Sequence, residues 1–157
     1  MRRTGGQARC ACPLFRENAM KDMRIHLVTL AFDAAGQGEK TEYTYRGRYE
    51  ECGSLCRLLW QREEEGVSTQ TVLSFDARTR TAVSMQQTGG CESQMHFAPG
   101  EEQASLYRVP GAGELAMTVR TERVENELSP EGGRLRLAYE MHLGGERRRV
   151  ILTLTAG

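Results

Sequence analysis

The residues of this chain whose types could carry chemistry are five cysteines, three histidines and a few runs of like charge. Cys10 and Cys12 stand near the start, Cys52 and Cys56 flank a turn, and Cys91 follows a Gly-Gly pair. No second cysteine pair stands at zinc-finger spacing, and His26, His96 and His142 each fall on the polar phase of a separate run, so no metal centre is expected. An odd number of cysteines without regular spacing, in a chain lacking an apolar export segment, reads as reduced thiols in a cytosol. A nucleophilic cysteine needs an exposed, electropositive setting with a base nearby; Cys91 beside its turn comes nearest to one. Glu63 to Glu65 and Arg147 to Arg149 read as solvated faces whose arginines pair with nearby Glu. In GQGEKT (Gly36 to Thr41), Glu39 stands where a glycine must let the backbone wrap a phosphate, so the segment is a hairpin turn and not a phosphate loop. No two carboxylates stand in unlike environments, as acid–base catalysis would need. A non-enzyme without a cofactor is expected.

A second set of residues suits binding. In TEYTYRGRYEE (Thr41 to Glu51) every second position is aromatic or small (Tyr43, Tyr45, Gly47, Tyr49), and the positions between are polar. Period two puts the tyrosines on one face of a strand. The same alternation recurs in Leu73 and Phe75, in Val83 and Met85, in Met95 and Phe97, in Leu115, Met117 and Val119, and from Leu135 to Leu143. Trp60 lies in a run of mixed parity. If the sheet curls, Tyr43, Tyr45, Tyr49, Trp60, Phe75, Met85, Phe97, Met117 and Tyr139 share its interior as candidate ligand-binding residues, with Thr71, Gln87 and Thr121 as polar anchors. Aromatics and flexible Met line small-molecule pockets, and they also fill cores.

The elements that must position these side chains are strands. Turn residues interrupt the alternation at nine places, from GQG at Gly36 to Gly38 through to Gly144-Gly145, which implies about ten strands. No 3.6-residue pattern is long enough for a helix, so the chain reads as an all-β, all-antiparallel meander. Ten strands with one dry face must expose long edges or curl until the sheet closes. A barrel is the first expectation and a two-sheet sandwich the second. Within Glu114 to Leu128 the apolar parity changes from odd to even, which predicts a β-bulge near Arg123.

Residues 1–22 show no period and carry four arginines; they read as a loose tail, or as sequence upstream of the original start, ahead of one barrel domain over 23–157. With 157 residues the chain suits a single domain. Its 21 basic and 21 acidic residues cancel, so the general attraction of a nucleic-acid binder is missing, and self-association stays open. The longest apolar runs, such as VILTL near the end, are too short to cross a bilayer as a helix.

Five stretches stand together in order and spacing: GRY at Gly47 to Tyr49, LLWQREE at Leu58 to Glu64, HFAPG at His96 to Gly100, the run through Tyr107, Pro110 and Gly113 to Leu115, and GRLRLAYEMHL at Gly133 to Leu143. As a set they resemble the YwiB-like family of small, uncharacterised bacterial proteins, over about Met23 to Thr155. The resemblance implies a calycin-like, lipocalin-related β-barrel of eight to ten strands and carries no activity. Where such a chain is expected to hold an Arg in the strand before the Gly-Gly turn, this one has Gln87, so a polar anchor would be missing there. Two functional readings follow. One is a cytosolic, non-catalytic protein that binds a small, largely apolar ligand inside the barrel. The other is a protein–protein interaction or self-association module whose barrel is filled by side chains.

Overall fold

The computed structural model describes residues 20–157. The expected tail falls outside the described residues except for Met20, Lys21 and Asp22, which already belong to the first strand. Ten strands follow in order: β1 (Met20–Phe32), β2 (Gly38–Cys52), β3 (Leu55–Glu64), β4 (Val67–Asp76), β5 (Thr79–Gly89), β6 (Ser93–Phe97), β7 (Glu102–Val109), β8 (Gly113–Asn126), β9 (Gly133–Leu143) and β10 (Glu146–Ala156). There is no helix among the described residues. Every connection falls at one of the nine breaks read from the sequence. At Glu65-Gly66 and Gly144-Gly145 both turn residues have positive φ (52° and 79°, 58° and 89°), the geometry whose twist matches the flanking strands.

All pairings are antiparallel, and the strands form one sheet in the order β6-β5-β4-β3-β2-β1-β10-β9-β8-β7. Neighbours in sequence are therefore neighbours in space, and β1 against β10 joins the two halves of the meander. The ends of the sheet, β6 and β7, meet through one bridge, in which Glu92 and Arg108 exchange backbone hydrogen bonds of 2.7 and 2.8 Å and their side chains form an ion pair. The result is a nearly closed barrel. The register of β8 on β9 slips between Thr121 and Arg123, so the extra residue is Glu122 and Val124 returns to the inside, as the parity change requires.

One end of the barrel is packed. Ile25, Leu58, Leu73, Val83, Phe97, Leu135, Leu137 and Leu154 are fully buried. Leu128, in the β8–β9 loop, is 1% exposed and plugs this end. Arg80 holds the plug in place: its Nη1 donates to the Leu128 carbonyl at 2.7 Å while the guanidinium lies over the Phe75 ring. Asn126 Nδ2 returns a hydrogen bond to the Arg80 carbonyl at 3.1 Å.

The outer face carries the charges. Glu140 receives Arg120 at 3.2 Å and Arg147 at 2.9 Å, and Arg149 reaches Glu122 at 3.2 Å. The Arg147 to Arg149 run is thus a paired, water-facing surface. Among the described residues no helix is long and apolar enough to cross a membrane.

Candidate functional site

Strand β2 follows β1 from Gly38 to Glu50 but pairs with β3 only from Gly47 to Cys52. The barrel wall therefore splits above Gly47. Gly47 itself is a point of close approach, since a Cβ there would come within 2.6 Å of the Leu59 carbonyl oxygen. Beyond it, aromatic rings take over from hydrogen bonds. Tyr43 stacks on Tyr45 with centroids 5.9 Å apart, and Tyr45 stacks on Trp60 of β3 at 6.2 Å.

The tyrosine row is thereby divided among three environments. Tyr49 is 1% exposed and donates to Glu51 Oε2 at 3.0 Å; burial first, then the neighbouring Cys56 and Glu51, push its phenol far up. Tyr45 is half-buried, and Tyr43, at 41% exposure, stands on the rim. Directly inside Tyr45 and Trp60, towards the end opposite the Leu128 plug, lies a cavity of about 180 Å³. Its apolar wall is made by Leu27, Met85, Met95, Tyr139 and Leu152 with the two stacked rings, and Thr29, Arg62, Thr69, Thr71 and Gln87 supply its polar groups.

Of the nine residues expected to bind a ligand, Tyr45, Trp60, Met85 and Tyr139 line this cavity. The structure places Tyr49, Phe75, Phe97 and Met117 in the packed core instead. Period two sorts inside from outside, but it does not distinguish the filled from the hollow part of an interior. Phe97 shows the difference: it packs against Tyr139 at 4.8 Å and fills the space behind the cavity wall. Of the three expected polar anchors, Thr71 and Gln87 reach the cavity, while Thr121 is buried outside its lining with its Oγ1 unpartnered.

Arg62 and Thr69 were not placed inside by the sequence, and Met95, placed inside by its parity with Phe97, was not expected at the cavity. Arg62 stands in a charged run that reads as solvent-facing. The usable signal was its phase, because Cys56, Leu58 and Trp60 are buried at the same even positions of β3. The lining's basic group thus comes from β3 and not from the strand of Gln87. Arg62 also acts on the phenols around it. Burial raises the Tyr45 and Tyr107 hydroxyls, and the Arg62 charge opposes the rise at both. Burial alone raises Tyr139, so it remains a neutral phenol at ordinary pH.

A larger, more open concavity of about 600 Å³ lies outside the split wall and is lined by Arg24, Arg46, Arg48 and Gln61 among others. Met23, Leu59 and Trp60 contribute apolar surface to it, but most of its lining is polar or charged and it is more open than the inner cavity. The other candidates for chemistry are dispersed. His26 meets Glu42 at 2.5 Å, His96 meets Ser84 at 3.1 Å and His142 meets Glu140 at 3.7 Å, all on separate strands. Cys56 and Cys91 are free and buried. Cys52 is disulfide-bonded, so the reading of reduced thiols does not hold for it. Among the described residues no three His, Cys, Asp or Glu side chains converge as a metal site would require.

The pattern of the family described as "Domain of unknown function (DUF1934)" matches residues 25–151. A relative described as "Uncharacterized beta-barrel protein YwiB", from Bacillus subtilis (strain 168), is 24% identical over 123 residues, which are 78% of this chain and 83% of that one. The crystal structure of ywiB protein from Bacillus subtilis is similar with a TM-score of 0.78 at 21% identity, covering 98% of this chain and 99% of the other. At that identity the likeness speaks to the fold.

Proposed function

The chain belongs to the family described as Domain of unknown function (DUF1934), and on that premise we propose that it is a non-catalytic barrel holding a small, largely apolar ligand in its open end. The observation that carries this reading is the division of the interior into a sealed, packed end and a hollow one. Left dry, about 180 Å³ of void would cost about 4 kcal/mol at the rate of about 24 cal/mol per Å³ seen for engineered cavities. A fold of ordinary stability has little room for such a term. The five polar residues in the lining are what a water-filled or ligand-filled site uses, and an empty apolar void would lack them. The charged outer face supports a barrel surrounded by water, and the analogy with lipocalin-like binders points the same way at the level of fold.

Trp60 is the single tryptophan of the chain and lies in the wall between the inner cavity and the outer concavity, so its emission reports binding, and the Met85 variant, inside the cavity alone, assigns it. Titration with octanol or a naphthalene-based fluorophore is expected to change Trp60 emission saturably. Tyr45→Ala combined with Met85→Ala is expected to weaken binding about tenfold or more, since each removes roughly 1.5–3 kcal/mol of apolar contact. No saturable change with any apolar compound would remove the reading.

The second reading, association with another chain, draws on the split wall. The segment 38–46 of β2 pairs only with β1 among the described strands, and an unpaired strand edge accepts a further strand. Light scattering tests it directly. A defined oligomer that is lost on introducing a proline at Thr44 would favour it, and a monomer at all concentrations would count against self-association.

A further inference from the structure

Arg62 follows Trp60 by two residues on β3 and so shares its inward face. It is the one charged residue in the cavity lining. Its ion partner among the described residues is Glu64, at 3.6 Å, with the side chains 40% and 60% exposed. A pair that open to water is screened and weak, and the guanidinium's further neighbour, the Tyr45 hydroxyl, is neutral, so a carboxylate would be the stronger partner.

The other polar groups of the lining point to the same chemistry. Gln87 Oε1 already accepts from Ser93 at 3.2 Å and Cys91 at 3.4 Å, which leaves the Gln87 amide NH₂, a donor, to face the cavity. The Tyr139 hydroxyl belongs to a side chain only 6% exposed and has no hydrogen-bond partner among the described residues. Thr69 and Thr71 can donate or accept. No carboxylate lines the cavity. A cation and donors set in an apolar wall select a ligand that brings acceptors and a negative charge.

Resting on the cavity reading above, we propose that the ligand is a small anionic amphiphile. Its carboxylate is held by Arg62, with the Gln87 amide in support, and its apolar body lies against Trp60 and Met85. A planar guanidinium meets a carboxylate with two parallel hydrogen bonds, which fixes the orientation of the head. The volume sets the size. About 180 Å³ corresponds to roughly six waters at about 30 Å³ each, so the body is a short chain or a single ring.

The test compares octanoate with octanol and octylamine, read by Trp60 emission and by calorimetry on the full chain at neutral pH. Octanoate is expected to bind about tenfold or more tightly than octanol, and octylammonium more weakly than either. Arg62→Gln should bring octanoate affinity down to about that of octanol in the same variant, and Arg62→Lys should keep part of the preference. Gln87→Glu should weaken octanoate alone. Circular dichroism and thermal melting verify that each variant is folded. Equal affinity for octanoate and octanol in the unaltered protein, or a preference that survives Arg62→Gln, overturns the proposal and leaves the cavity reading intact. Failure of both compounds to bind overturns both.

Discussion

Asp76 links two turns of the plugged end through one carboxylate. Its Oδ1 accepts from the Arg78 backbone N–H at 2.7 Å and its Oδ2 from the Ser54 hydroxyl at 3.0 Å, while the Ala77 N–H donates to the Ser54 carbonyl at 2.7 Å. Hydrogen bonds from Arg78, with help from Ser54, pull the carboxyl from its usual 3.8 down to about 2. A carboxyl that titrates lower in the folded state stabilises fully above its unfolded value, and the contribution disappears as pH falls through the folded value. Between about pH 4 and about pH 2, the melting temperature is therefore expected to fall more steeply for the unaltered chain than for Asp76→Asn. Parallel melting curves for the two would show that these bonds contribute nothing. At this scale the sequence was partly legible. Tyr45, Trp60, Met85 and Tyr139 could be chosen by type and phase, whereas Arg62 was hidden because a charge beside Glu63 and Glu64 reads as solvated until the phase is anchored on Trp60.

Among the elements, β2 decides the site, and Gly47 is where it does so. From Gly47 to Glu50 β2 is held on both sides; before it, β3 is not paired and Tyr43 and Tyr45 occupy the gap. The backbone of Gly47 needs no unusual φ, so the requirement is one of space: an added Cβ would meet the Leu59 carbonyl oxygen at 2.6 Å and the Ile25 Cδ1 as well. Gly47→Ala must push β2 from β3 and is expected to cost about 1–3 kcal/mol, seen as a lower urea midpoint with an unchanged slope. An unchanged midpoint would mean that the wall already yields there. Element boundaries were well marked in the sequence because turn chemistry is local: Gly, Pro, Asn and Asp act through their own backbone preferences. The split was not marked, because the Tyr43, Tyr45, Gly47 alternation continues unbroken through it.

Across the whole molecule the barrel is least secured at its seam. β6 is five residues long, and among the described residues the bridge across to β7 is the single pair Glu92 with Arg108, just before β6 begins. By contrast β1 is laddered on both sides, to β2 and to β10, over most of its length. Native-state hydrogen exchange should accordingly be faster in Ser93 to Val109 than in β1, β9 and β10. Uniform protection around the barrel would show that closure is more complete than one bridge implies. This seam borders the hollow end: Gln87, in the cavity lining, accepts from Cys91 on the connection into β6 and from Ser93 at its start.

The order of residues by itself determined the class of fold, the ten strands, the turn positions, a bulge near Arg123 and the inward face of most strands. Each of these follows from interactions within a strand or between chain neighbours: period-two hydrophobicity, glycine at positive φ, a slip of one residue. The tertiary structure alone decided where the barrel is full and where it is hollow, that β2 parts from β3, and that Arg62 faces Tyr45, Tyr107 and Gln87. Those outcomes depend on which inward side chains meet across the barrel. That is set by register and closure summed over all ten strands, and no single stretch of sequence contains it.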